Sequence, residues 1–374
     1  MLSLGSGLVA IAALSRALRR EAVNPIAAST AVAMVACWRW TLFSSAAGAV
    51  PEMPSVALLC VALERWCARK PGSWWQTGLA LTLAAGFRYE AWFALLGFAL
   101  FARDRTRPRW EVAATLGISS LVPVAWLVVN HFRRGDALDF IHRVAAHRSA
   151  VTAVLAPWWI RWTEVPRALV VELPWILLLG VALWRAGPRP AVVRIGAAMA
   201  GAVLFGLALE SARGGGATHH AARTLLSVAW MLVPALAVSI EALLQRGLAR
   251  SIAVGALACA AWSAPHPAEV ADLGAPAASV VGDMAARRWP HAPWCLERQR
   301  QDALWIEWRG TGAGQILPDR VFGSAPEHAS RRADKCARAR GAVTSSWELE
   351  EALRFHGFHL VGRVGPWALL ERAP

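Results

Sequence analysis

The chain has 374 residues, of which 56% are hydrophobic and only 17% charged, with a mean hydropathy of +0.39. A soluble globular chain carries about 25% charged residues, so these figures exclude a set of ordinary soluble domains, a disordered chain and a small disulfide scaffold. The formal net charge of +14 is made almost wholly of arginine and is unevenly placed: residues 1–264 hold 25 basic and 12 acidic residues, residues 265–374 hold 14 and 13. The excess lies among apolar runs, where membrane topology explains it, and no basic tail or helix points to nucleic acid.

Taken in chain order, apolar runs occupy residues 2–18, 24–44, 54–69, 75–87, 90–102, 111–130, 168–184, 191–210, 224–244 and 249–264. A helix of about 20 apolar residues crosses a bilayer. The expected architecture is an all-α polytopic membrane protein with about 10 membrane segments over 1–264, followed by a small α/β domain over 265–374. The first run has no basic stretch before it and no small-residue cleavage site after it, so it is not a signal peptide.

Arginine clusters follow alternate runs. Arg16, Arg19 and Arg20 come after the first; Arg65, Arg69 and Lys70 after the third; Arg103, Arg105, Arg107 and Arg109 after the fifth; Arg185, Arg189 and Arg194 after the seventh; Arg246 and Arg250 after the ninth. The positive-inside rule then puts Met1, residues 45–53, 131–167, 211–223 and the C-terminal part on the external face. It also requires a break near Arg88, so 75–102 reads as two short spans. Several of the 21 tryptophans stand at span ends, including Trp74, Trp75, Trp110, Trp158, Trp159, Trp162 and Trp184, as interfacial anchors do. Within the external stretch 131–167, residues 136–148 have a helical periodicity with Leu138, Ile141, Val144 and Ala145 on one face, suited to lying on a leaflet; Arg143 on the other side could meet a lipid phosphate.

In residues 265–374 the apolar runs shorten. Ala303–Trp308, Val361–Val364 and Ala368–Leu370 read as strands. Glu348–His356 reads as a helix capped by Ser345 or Ser346 and stopped at Gly357. Cys295 and Cys336 lie here and could pair; the spacing leaves that open. Cys37, Cys60, Cys67 and Cys259 fall in spans and read as small core residues. No CxxC, HExxH, GxGxxG or P-loop occurs, so neither a metal nor a nucleotide site has sequence support.

Ionisable residues inside an apolar region cost roughly 2.5–3.5 kcal/mol each on insertion, so they mark candidate sites. Glu52, in Pro51-Glu52-Met53-Pro54, opens a span and either caps it or faces an external site. Arg88, Tyr89 and Glu90 adjoin at the expected break; they form an ion pair there or present an arginine fork to a phosphate. His219, His220 and Arg223 follow the Gly214–Gly216 run and precede the next span; the alternatives are a plain loop or a grip on a phosphate. Arg39, between Trp38 and Trp40, reads as a helix–helix partner, with a substrate contact as the alternative.

Together the segments VPEMPSVALL, GFRYEAWFALL and THHAARTLL resemble motifs of the membrane glycosyltransferases of GT-C fold. The resemblance is to the group holding the protein O-mannosyltransferases and the lipid A aminoarabinose transferases, and it covers most of residues 1–264. It implies a polyprenyl-phosphate-linked sugar as donor and single displacement at the external face of a bacterial inner membrane. Glu52 is then the catalytic carboxylate, Arg88 and Arg223 hold the donor phosphate, and Tyr89, Glu90, His219 and His220 assist binding. The acceptor is a hydroxyl of unspecified identity, and a divalent metal requirement stays open. The group begins with a further span and an acidic loop that carries the principal base. Here the chain opens on a segment like the group's second span, so that base is expected upstream of Met1, or else the chain is inactive as it stands. Other classes remain: a transporter or flippase of a lipid-linked or anionic solute, disfavoured by the lack of an internal repeat, and a non-catalytic membrane subunit that displays the C-terminal domain.

Overall fold

A computed structural model describes residues 2–46, 51–102, 107–142, 157–178, 190–213, 224–248, 252–253, 255–256, 275–297, 306, 316–317, 333–334, 336 and 338–373. Two compact units divide the chain, one of Met1–Ala145 with Ala156–Ala264, the other of Ala146–Leu155 with Pro265–Pro374.

The first unit is a helical bundle. Its helices are α1 (Leu2–Arg20), α2 (Pro25–Ala36), α3 (Arg39–Ala46), α4 (Glu52–Ala68), α5 (Ser73–Phe87), α6 (Glu90–Phe101), α7 (Arg109–Ser119), α8 (Leu121–Arg134), α9 (Trp158–Glu172), α10 (Ala191–Ala212) and α11 (Leu226–Gln245). By length and composition three helices of the described residues suffice to cross a membrane: Arg109–Arg134, Ala191–Ala212 and Leu226–Gln245, with α2 and α3 together a fourth across a 69° bend. This is a helical membrane protein, and the spans expected at 2–18, 54–69, 75–87 and 90–102 are helices too, none longer than 19 residues.

Helix α11 is apolar on every side and almost wholly buried, which places it at the bundle's centre. The α7–α8 segment is the opposite case. It leaves Trp110, Leu121, Val124, Trp126 and Phe132 exposed, as a helix facing lipid does.

Two expectations need correction. The run 24–44 is broken at Cys37 and Trp38, so Cys37 is exposed, whereas Cys60 and Cys67 are buried as core residues. The run expected at 168–184 belongs to a helix that already starts at Trp158 and stops at Glu172, where Leu173 leaves the helical region before a 3-10 turn over Pro174–Leu178. Arg39 joins the two: its Nε donates to Glu172 Oε2 at 3.1 Å and its Nη2 to Oε1, a two-pronged link from α3 to α9. The run 249–264 lies largely outside the described residues, as do Arg143 and Trp184.

Helices α6 and α10 pack antiparallel at close range, and small residues permit it. A Cβ on Gly97 would stand less than 3.0 Å from the Ala198 carbonyl oxygen, and one on Gly206 would stand less than 3.0 Å from the Phe93 ring.

The second unit carries a five-stranded sheet in the order β2-β1-β3-β5-β4, from β1 (Trp294–Leu296), β2 (Ile316–Leu317), β3 (Gly341–Thr344), β4 (Phe358–Val364) and β5 (Trp367–Arg372). Strand β1 runs parallel to β2 and β3, while β5 is antiparallel to both β3 and β4. Helices α12 (Ala275–Arg288) and α13 (Trp347–Phe355) accompany it. Trp289, Trp294 and Trp367 form one core cluster. Ser346 caps α13, its side chain accepting from the Leu349 N–H at 3.2 Å, and Gly357 ends it at φ +84°. Cys295 and Cys336 are disulfide-bonded with Cα atoms 5.7 Å apart. The strand expected over 303–308 lies outside the described residues except for Ile306, which is helical.

Candidate functional site

The site grows from the junction of α5 and α6. Helix α5 ends at Phe87, Arg88 is extended (φ −146°, ψ 131°), and Tyr89 leads directly into α6. The extended residue turns the Arg88 side chain off the helix axis, and α6 then starts with a carboxylate in its first turn, Glu90.

The Arg88 fork is held on two edges. Its Nε donates to Glu90 Oε2 at 2.9 Å and its Nη2 donates to Glu90 Oε1, closing a bidentate pair. Its Nη1 donates to Glu52 Oε1 at 3.0 Å. Glu90 is two residues away along the chain, whereas Glu52 is the first residue of α4. Side-chain exposure is 23% for Arg88 but only 5% for Glu52 and 3% for Glu90. The carboxylates are thus out of solvent and the guanidinium covers them.

Helix α4 is kept against α5 by the Ser55 hydroxyl donating to the Ala84 carbonyl at 3.2 Å, one turn from both Glu52 and Arg88. Burying Glu52 here fits the arginine opposite it; an unpaired carboxylate at that depth would be costly.

Sequence reasoning passed over one member of the site, Glu210. The Tyr89 hydroxyl donates to the Glu210 carboxylate. The antiparallel packing explains how they meet. Phe93, four residues after Tyr89, lies on Gly206, and Glu210 lies four residues after Gly206, so each pair shares a helix face. Glu210 Oε2 is buried and accepts no hydrogen bond among the described residues. Next to it, Ser211 donates to Glu164 Oε2 of α9 at 2.5 Å. The available signal was an acidic residue ending an otherwise apolar run, which had served only to mark the run's end.

Aromatic rings flank the polar group. Phe140 stands 6.2 Å from the Tyr89 ring and 5.4 Å from the Trp92 ring, centroid to centroid. Trp92 is fixed by its Nε1 donating to the Ala85 carbonyl at 3.0 Å. The segment after α8, expected to lie on a leaflet, therefore brings Phe140 to the site; its continuation past His142 lies outside the described residues.

Glu52, Arg88, Tyr89 and Glu90, from two separate stretches of sequence, come together in the structure. His219, His220 and Arg223 lie outside the described residues. No group of three or more metal-ligating side chains occurs among the described residues.

The fold so described has a likeness among the solved structures. Over its whole length the chain matches 84% of the crystal structure of ArnT from Cupriavidus metallidurans bound to undecaprenyl phosphate, with a TM-score of 0.61 and 14% sequence identity. No protein-family model and no curated protein sequence matches the chain.

Proposed function

We propose that the chain is a GT-C glycosyltransferase that moves a sugar from a polyprenyl-phosphate donor to an acceptor hydroxyl at the external face of a bacterial inner membrane. The observation that carries this is the Arg88 fork, set at the ends of two apolar helices and held by carboxylates of both. The likeness to a protein solved with undecaprenyl phosphate supports the donor class.

In this reading Glu90 fixes the Nε–Nη2 edge of Arg88, and the donor phosphate takes the Nη1 edge from Glu52. An arginine fork suits phosphate oxygens and stabilises the leaving phosphate as its charge develops. Glu52, released from the guanidinium, stands in for the base that the related group carries in its first acidic loop and receives the proton of the attacking hydroxyl. The acceptor oxygen bonds to the anomeric carbon, the bond from that carbon to the phosphate oxygen breaks, and polyprenyl phosphate leaves. His219, His220 and Arg223 complete the binding of the donor, Arg223 adding a second cation. The C-terminal part, 265–374, is in this reading a separate domain external to the membrane.

The test uses the full chain in nanodiscs with undecaprenyl phosphate as probe. Arg88→Ala weakens binding at least tenfold (about 1.4 kcal/mol), and Glu52→Gln tightens it because the competitor for Nη1 has lost its charge. A panel of undecaprenyl-phosphate sugars in membranes then shows release of undecaprenyl phosphate by the unaltered chain and none by Glu52→Gln. Equal binding by Arg88→Ala and the unaltered chain overturns the assignment.

A further inference from the structure

The other end of α4 carries a second ionic cluster with the opposite balance. Glu64 lies 12 residues after Glu52, about 18 Å along the helix at 1.5 Å per residue. Its side chain is 1% exposed and three arginines converge on it. Arg20 Nη1 donates to Glu64 Oε1 and, at 3.2 Å, to the Glu64 backbone carbonyl. Arg16 Nε is 3.6 Å from Oε1, and Arg65 Nε is 3.2 Å from Oε2. The three arginine side chains are 33–44% exposed.

One buried carboxylate cannot balance three guanidinia, so the cluster keeps a surplus of two positive charges. Each guanidinium has five N–H donors, and one carboxylate uses few of the fifteen. The three side chains are partly exposed, so donors are left over for a ligand. Holding α1 to α4 needs a single arginine, Arg20, and gives no account of the other two.

The surface leading to the cluster is apolar. Val9 and Arg16 are seven residues apart on α1 and share a face, and Leu8 beside Val9 is 63% exposed. An exposed apolar stripe that ends in clustered arginines at a helix terminus matches an acyl chain ending in a phosphate. Basic pockets between membrane helices bind anionic head groups in this way.

We propose that Arg16, Arg20 and Arg65, closed over Glu64, hold the phosphate of an anionic phospholipid whose acyl chain runs along Leu8 and Val9 of α1. The site is at the opposite end of α4 from Arg88 and does not depend on the glycosyltransferase reading.

The test takes the detergent-purified, delipidated full chain and measures lipid binding by native mass spectrometry and thermal shift. The probes are phosphatidylglycerol, phosphatidylcholine and inorganic phosphate. Phosphatidylglycerol binds at least about tenfold more tightly than phosphatidylcholine, as two surplus interfacial cations imply. The Arg16→Gln/Arg65→Gln variant keeps the Arg20–Glu64 bond and loses that preference. Glu64→Gln keeps all three arginines, removes the internal anion and binds phosphatidylglycerol more tightly; this variant decides the matter should the double variant not fold. Equal binding of the two lipids, an unchanged preference in the double variant, or no tightening in Glu64→Gln overturns the proposal. So does inorganic phosphate reproducing the shift at equal concentration, since the ligand is then a free anion.

Discussion

Removing Arg88 tests the physical account of the site without any knowledge of a substrate. Arg88→Met keeps an apolar stem of similar reach and deletes the charge. Glu52 and Glu90, 5% and 3% exposed, then lose their shared cation. Taking one partner from a buried ion pair costs about 3–5 kcal/mol. Arg88 itself is 23% exposed, so water reaches part of the gap and the lower end, about 3 kcal/mol, is the expectation. At about 2–4 °C per kcal/mol for a unit of this size, the apparent midpoint falls by roughly 6–12 °C. The measurement is tryptophan-fluorescence melting in detergent at one fixed scan rate, because unfolding of such proteins is commonly irreversible. The decisive partner is Arg88→Met/Glu52→Gln/Glu90→Gln, which removes the orphaned charges as well and recovers at least half of the loss. A fall below about 2 °C in Arg88→Met, or a triple variant no more stable than the single one, refutes the claim that the three side chains form one buried ionic unit.

Two further outcomes follow from the packing and the C-terminal unit. Gly206→Val places carbon less than 3.0 Å from the Phe93 ring; overpacking of this kind costs about 1–3 kcal/mol, and Phe93→Ala in the same chain restores most of the midpoint if that ring is the obstacle. In the C-terminal unit, the hydrogen bond from Arg288 holds the Glu371 carboxyl below the usual carboxylate range, with Trp289 and Arg340 adding to it. A depressed folded-state pKa gives stability that is present above the unfolded value, about 4.3, and lost as pH falls through the folded one. Hydrogen exchange of β3 and β5 therefore shows protection falling as the medium is acidified below that value, and Glu371→Gln flattens the fall; an identical acid profile in the variant refutes the link.

The bundle was legible where apolar composition alone decides. Runs at 2–18, 54–69, 75–87, 90–102, 191–210 and 224–244 became helices with ends shifted by only a few residues, and the break at Arg88 followed from the charge pattern. Where charged residues sit within a helix, the reading failed. Trp158–Glu172 contains Arg161, Glu164, Arg167 and Glu172, so hydropathy made its first half a loop, yet two of these charges serve partners across helices, Glu164 with Ser211 and Glu172 with Arg39. Strands β1 and β3 were missed because Trp294–Leu296 and Gly341–Thr344 are buried at every residue and lack the alternation that marks a half-exposed strand. Glu210 was missed for a different reason. It lies 121 residues after Tyr89, and only the α6–α10 crossing, set by Gly97 and Gly206, brings the two together.

Helix α4 carries a buried carboxylate near each end, and their surroundings differ in sign. At Glu64 three arginines meet one acid. At Glu52 the described residues supply one arginine, Arg88, against three acids, Glu52, Glu90 and Glu210. Topology explains the first imbalance, since arginines gather on one side of the membrane. In the reading proposed above, a phosphate arriving at the Glu52 end takes a guanidinium edge from a carboxylate. At the Glu64 end surplus cations are ready and nothing needs to be displaced. If both proposals hold, the same ligand chemistry meets a static site at one end of the helix. At the other, under the proposed transferase reading, it meets an exchange that frees a carboxylate as the phosphate binds, which is what a displacement reaction needs from its base.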